Sequence, residues 1–157
     1  MYFCLRLGLL VAAVAALTFA APALAQPPTT ETTHQKGLVE TFVDVVPTCG
    51  EGGPLYTVTT TSNLVEHTTA FADGRVHATF TQAGKFVAVP LTDPSLPSYT
   101  GHFATWGGFN QNGKVVEGTF TFNVRGVGSD GSTFSVNFID HFNQRPDGSV
   151  NEFFHCH

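Results

Sequence analysis

The sequence predicts an all-β domain laid out as an antiparallel meander, and three observations carry that prediction. From Lys114 to Asn143, apolar residues recur at every second position on both sides of a Gly-Ser-Asp-Gly-Ser turn, the period of a half-buried strand. With 15 Phe and 16 Gly but only 12% charged residues, the composition is that of strands and turns. No stretch carries a helical period long enough to support a helix.

The central hairpin sets the parity of the faces. A two-residue Asp130-Gly131 turn would place Arg125 beside Val136 and Val124 beside Asn137, mixing polar and apolar groups on both faces. A three-residue Ser129-Asp130-Gly131 loop, with Gly131 left-handed, sorts them. Val116, Gly118, Phe120, Phe122 and Val124 then share a face with Phe134, Val136, Phe138 and Phe142. Thr119, Thr121, Asn123 and Arg125 share the other with Ser135, Asn137, His141 and Asn143.

Taken in order, residues 1–25 read as a signal peptide. Arg6 supplies the positive start, Leu7 to Ala21 the apolar run, and Ala23-Leu24-Ala25 the small residues before cleavage at Gln26. The apolar run is short for a bilayer core of about 30 Å, so an anchor is the weaker reading. Residues 26–36 (QPPTTETTHQK) have no apolar period and are expected to be a disordered lead-in to a single domain over 37–157.

Leu38 to Val46 alternates, with Val39, Val43 and Val45 on one side, and is the first expected strand. Pro47 to Pro54 is a loop. Leu55 to Phe71 is Thr-rich and β-branched, forming one long bent strand or two broken near Ser62-Asn63. Asp73-Gly74 signals a two-residue hairpin turn. That turn would align Val65, His67, Thr69 and Phe71 with Val76, Ala78 and Phe80 on the core face. Phe86 to Leu91 is a further short strand, Thr92 to Ser98 a proline-punctuated connection, and Tyr99 to Trp106 a strand. Gly107 to Gly113 is expected to turn the chain into the central hairpin. Pro146-Asp147-Gly148 turns it again into a last strand, Val150 to Cys156.

Eight or nine such strands in sequence order are expected to remove their edges by closing into a lipocalin-like (calycin-like) β-barrel. At that size the interior is filled by side chains or holds one small ligand. A β-sandwich is the alternative, because Greek-key crossings leave no mark in a sequence.

The run FVAVPLTDPSLPSYTGHFATWGGFNQNGK, together with GTFTFNVRGVGSDGSTF, HFNQRPDG and EFFHCH, resembles a family of small secreted actinobacterial proteins of uncharacterised function. These share a PxxPxYTG–W–GTFTFxxxGxGSDG core. The resemblance covers the chain from about Thr48 onward. It implies export and a compact β domain, and it brings no catalytic or binding residue with it.

Cys4 leaves with the signal peptide, so Cys49 and Cys156 remain as an even pair in an oxidising compartment and are expected to form a disulfide. Closing so long a loop is worth on the order of 4–5 kcal/mol on the chain-entropy account. It would also make the first and last strands near neighbours.

Removing Arg6 leaves six Lys and Arg against 12 Asp and Glu. That acidic balance, with no basic run, argues against nucleic acid and anionic membranes as partners. There is no H-x-x-x-H, H-E-x-x-H or second Cys pair, so neither metal nor cofactor is expected, and His155-Cys156-His157 is at most a weak terminal site. No G-x-S-x-G elbow supports hydrolase chemistry, and Gly107-Gly108 and Gly126-Val127-Gly128 read as turns and bulges.

Parity leaves His67 and Asp140 pointing inward, and Glu152 with Phe154 joins them if the Pro146-Asp147-Gly148 loop has three residues. Buried carboxylates are costly unless paired, so these groups are either a structural network or a polar anchor for a ligand. Trp106 beside Tyr99, Phe103 and Phe109 is a candidate aromatic platform, weighed against simple core packing. The leading expectation is a secreted, non-catalytic binding module for a small apolar or amphipathic ligand or a protein partner. A barrel-type cyclase or isomerase using His67 and Asp140 is the alternative, as is a cell-surface or matrix structural protein. Several His also predict a property that changes near pH 6.

Overall fold

A computed structural model describes residues 26–46, 49 and 52–156. The expected signal peptide and His157 lie outside the described residues. Seven strands, β1 (Thr29–Val45), β2 (Leu55–Ala70), β3 (Val76–Pro90), β4 (Tyr99–Asn112), β5 (Val115–Gly128), β6 (Thr133–Gln144) and β7 (Val150–Cys156), form one antiparallel sheet in sequence order. Among the described residues there is no helix and no pairing of β1 with β7, so the sheet is an open meander.

Three of the hairpin loops follow one design. Ala72-Asp73-Gly74, Ser129-Asp130-Gly131 and Pro146-Asp147-Gly148 each span three residues. The glycine is left-handed in every case, at φ 84°, 83° and 86°, a conformation a Cβ would penalise. Its N–H donates to the carbonyl three residues back, at Phe71, Gly128 and Arg145. The aspartate Oδ1 accepts the N–H two residues on, from Arg75, Ser132 and Ser149. The central hairpin therefore has the expected register, with Phe120 opposite Asp140, Phe122 opposite Phe138 and Val124 opposite Val136. The third loop likewise sets Phe142 opposite Glu152.

The first loop corrects the sequence reading. It has three residues where two were expected, with Phe71 N–H bonded to the Arg75 carbonyl. Arg75 seals the loop from outside: its Nε donates to Asp73 Oδ2 at 2.7 Å and its guanidinium lies 4.8 Å from the Phe71 ring centre. The extra residue reverses the faces of β2. Tyr56, Val58, Thr60 and Ser62 are buried, so Glu66 faces inward opposite Phe80 and His67 faces outward.

The strands are fewer and longer than expected. β1 begins at Thr29, so most of 26–36 belongs to the sheet, where Thr32 and Thr33 pair with His67 and Glu66. β2 is a single strand, and β3 absorbs the short strand expected after it. Gly107-Gly108 and Gly126-Val127-Gly128 lie inside β4 and β5. The Val39 and Val43 side of β1 is the exposed one, and Phe42 packs on the core instead.

Glycines on the inner face let the sheet bend around its core. Gly101 and Gly126 are directly paired, with Phe86 opposite the first and Phe134 opposite the second. A Cβ on Gly126 would run into the Phe134 ring, and one on Gly101 into the Arg125 carbonyl and the Phe86 ring. Each aromatic thus occupies the space its glycine leaves. The enclosed cluster comprises Val46, Tyr56, Val58, Phe86, Ala88, Tyr99, Phe103 and Val124. Cys49, after β1, is joined by a disulfide to Cys156 at the end of β7, with Cα atoms 6.0 Å apart. The bond ties the two ends of the meander at one corner, across 107 positions of sequence.

Candidate functional site

Period-two alternation on β4 to β7 places an aromatic ring on the inner face of each strand, and the register stacks these rings into a ladder. Phe103 stacks on Phe122 with centroids 5.7 Å apart, and Phe122 on Phe138 at 4.9 Å. Phe138 continues to Phe154 at 5.1 Å, while Phe120 meets Phe138 edge-on at 6.4 Å. The ladder starts in the core and ends in solvent. Phe103 and Phe138 are buried, whereas Phe154 on the edge strand is 51% exposed.

Asp140 sits beside the open end of this ladder, flanked in register by Phe120 and Phe154. It is only 4% exposed, and its Oδ1 has no hydrogen-bond partner. Burial, then the neighbouring Glu152 charge, then a hydrogen bond between the two carboxyls raise the Asp140 pKa to about 6; His141 pulls weakly the other way. The hydrogen bond to Glu152 favours the protonated form of Asp140. The site therefore offers a lone acceptor oxygen at the edge of an aromatic surface, in a carboxyl that is substantially protonated at mildly acidic pH.

Further round the inner face Thr60 Oγ1 is also buried without a partner, while the neighbouring polar groups bond to one another. Gln82 Nε2 donates to Glu40 Oε2 at 2.8 Å and to Ser62 Oγ at 2.9 Å. Thr68 Oγ1 donates to Glu66 Oε1 at 3.0 Å. Among the described residues, no three His, Cys, Asp or Glu side chains are grouped to hold a metal.

The residues singled out from the sequence separate onto two faces. Asp140, Glu152 and Tyr99 are inward-facing positions. Tyr99 lies deep in the core, 5.7 Å from Tyr56 and 5.4 Å from Phe134 between ring centroids. His67 is on the outer face, its Nδ1 2.8 Å from Thr32 Oγ1, so it forms no acid–base pair with Asp140. Trp106 is 43% exposed on the outer face, across the sheet from Tyr99, Phe103 and Phe109, and the expected platform is divided. Glu66 and the Glu40–Gln82–Ser62 group escaped the sequence reading. A correct residue count at the Ala72-Asp73-Gly74 loop would have turned Glu66 inward. Comparison with family models, with curated proteins and with solved structures finds no match.

Proposed function

We propose that this is an exported, non-catalytic binding module whose sheet wraps, lipocalin-like, around a small amphipathic molecule. The apolar body of the ligand lies on the Phe122–Phe138–Phe154 ladder and its polar end donates a hydrogen bond to Asp140. One observation carries the reading: a buried carboxyl oxygen with no partner adjoins a half-exposed aromatic ring that continues the core stack. An unsatisfied buried acceptor costs about 1–3 kcal/mol, which a donor on a ligand would recover. The disulfide supports export and holds the wrapped edges together. With His67 on the opposite face, the cyclase or isomerase alternative loses the pair it required.

Native mass spectrometry of the mature protein from a secreting host tests this. Extra mass that disappears on denaturation, and that is absent in Asp140→Asn/Phe154→Ala, is the expected result. An apo mass in every preparation, with no uptake of an added alkylamine fluorophore, would overturn it. Among the described residues β1 is the first strand of the sheet with only β2 beside it, which favours a second reading, self-association through added strands. Size-exclusion chromatography at rising concentration separates the two.

A further inference from the structure

The outer face carries a feature that sequence order hides. Lys85 on β3 pairs with His102 on β4, His102 with Arg125 on β5, and Arg125 with Ser135 on β6. Three basic side chains thus stand in consecutive cross-strand positions, separated by about one strand spacing of 4.7–4.9 Å each, and all are exposed. The two formal charges, on Lys85 and Arg125, flank the His102 imidazole about two strand spacings apart. Nothing neutralises them: among the described residues no ion pair or side-chain hydrogen bond joins Lys85, His102 or Arg125. In a chain with 12 acidic residues, two of only seven Lys and Arg are spent on one row.

The same residues line two adjoining depressions, of about 520 Å³ and 360 Å³, which share Thr100, Gly101, His102 and Val127. They lie over the Gly101–Gly126 pair. Arg125 borders the larger and Lys85 the smaller. The next cross-strand row is Val87, Thr100, Val127 and Thr133. Its valines are 48% and 53% exposed. A basic row therefore runs parallel to a row of alternating Val and Thr along one shallow groove.

We infer that this outer groove binds the anionic head of a small amphiphile. Its carboxylate, sulfate or phosphate lies between Lys85, His102 and Arg125, and its apolar part on Val87 and Val127. A long polyanion is disfavoured, because beyond the three basic groups it meets an acidic protein. The site lies on the opposite face from the inner ladder and stands or falls independently of it.

Titration calorimetry with octyl phosphate and with inorganic phosphate tests the inference. Octyl phosphate is expected to bind at one site, at least about tenfold tighter than inorganic phosphate, because only it covers the valines. Lys85→Gln/Arg125→Gln should weaken it at least about tenfold, while Lys114→Gln, at the exposed turn between β4 and β5, and Asp140→Asn leave it unchanged. All four altered side chains except Asp140 are at the surface, and circular dichroism confirms folding. No saturable binding, equal affinity for the two probes, or binding that survives the double substitution would each overturn the proposal. Loss of binding in Asp140→Asn alone would move the amphiphile to the inner face and overturn it as well.

Discussion

The carboxyl groups of Asp140 and Glu152 meet across β6 and β7, Asp140 opposite Phe154 and Glu152 opposite Phe142. The folded protein holds the Asp140 proton up to about pH 6, while the unfolded chain releases it near 3.8. A raised carboxyl pKa stabilises the fold fully below the unfolded value and loses that contribution as pH rises through the folded one. The protein should therefore melt higher at pH 5 than at pH 7.5, within a total span of about 2–3 kcal/mol. Asp140→Asn should flatten the profile. Identical wild-type midpoints at the two pH values would refute the assignment.

The loop aspartates act in the opposite direction and at lower pH. Asp130 and Asp147 each accept a serine hydroxyl at 2.6 Å and a backbone N–H at 2.9 Å. The hydroxyl bond first, and the backbone bond second, hold both pKa values below the usual carboxylate value. Their contribution is present above the unfolded pKa and is lost as pH falls through the folded one. Asp130→Ala should lower the melting midpoint at pH 7, and the gap from wild type should close by about pH 2. A gap that stays constant over that range would assign the loss to backbone effects instead.

Breaking the Cys49–Cys156 bond frees the corner where the two ends of the meander meet. Cys156→Ser, or reduction of the wild type, should cost about 2–5 kcal/mol in urea unfolding. An unchanged midpoint under reducing conditions would show that the sheet holds its curl without the tie.

Gly126 and Phe134 test the bend. Gly126→Ala should destabilise by about 1–3 kcal/mol, because the new methyl meets the Phe134 ring. Phe134→Leu in the same chain should recover part of that loss, a coupling a double-mutant cycle measures. Strictly additive effects would remove the ring as the cause.

Much of the fold was legible where composition marked the loops. Ser129-Asp130-Gly131 and Pro146-Asp147-Gly148 carry turn formers at every position, so their registers, and with them Asp140 opposite Phe120, followed from parity. Ala72 carries no such mark, so the Asp73-Gly74 pair alone passes for the whole turn and puts His67 inward, against the observed register. The first part of β1 was invisible because its residues are polar on both faces, leaving no period to detect. Gly107 looks like a break in the sequence, yet in the sheet it sits between Phe80 and Phe120, where a Cβ would run into the Thr119 carbonyl and the Phe120 backbone. The Lys85–His102–Arg125 row depends on several loop lengths together, and no window of sequence contains it.

The strictly sequential strand order also dictates when each part of the sheet can form. Every strand pairs with the one synthesised just before it, so hairpins can accrete from the N-terminal side as the chain emerges, each closing only a short loop. The exception is the link from Cys49 to Cys156, which waits for the last strand. Oxidation is therefore the closing event of assembly. Before the last strand pairs, the growing sheet ends in a fresh edge at each stage, and a premature partner for Cys49 would leave Cys156 without its mate.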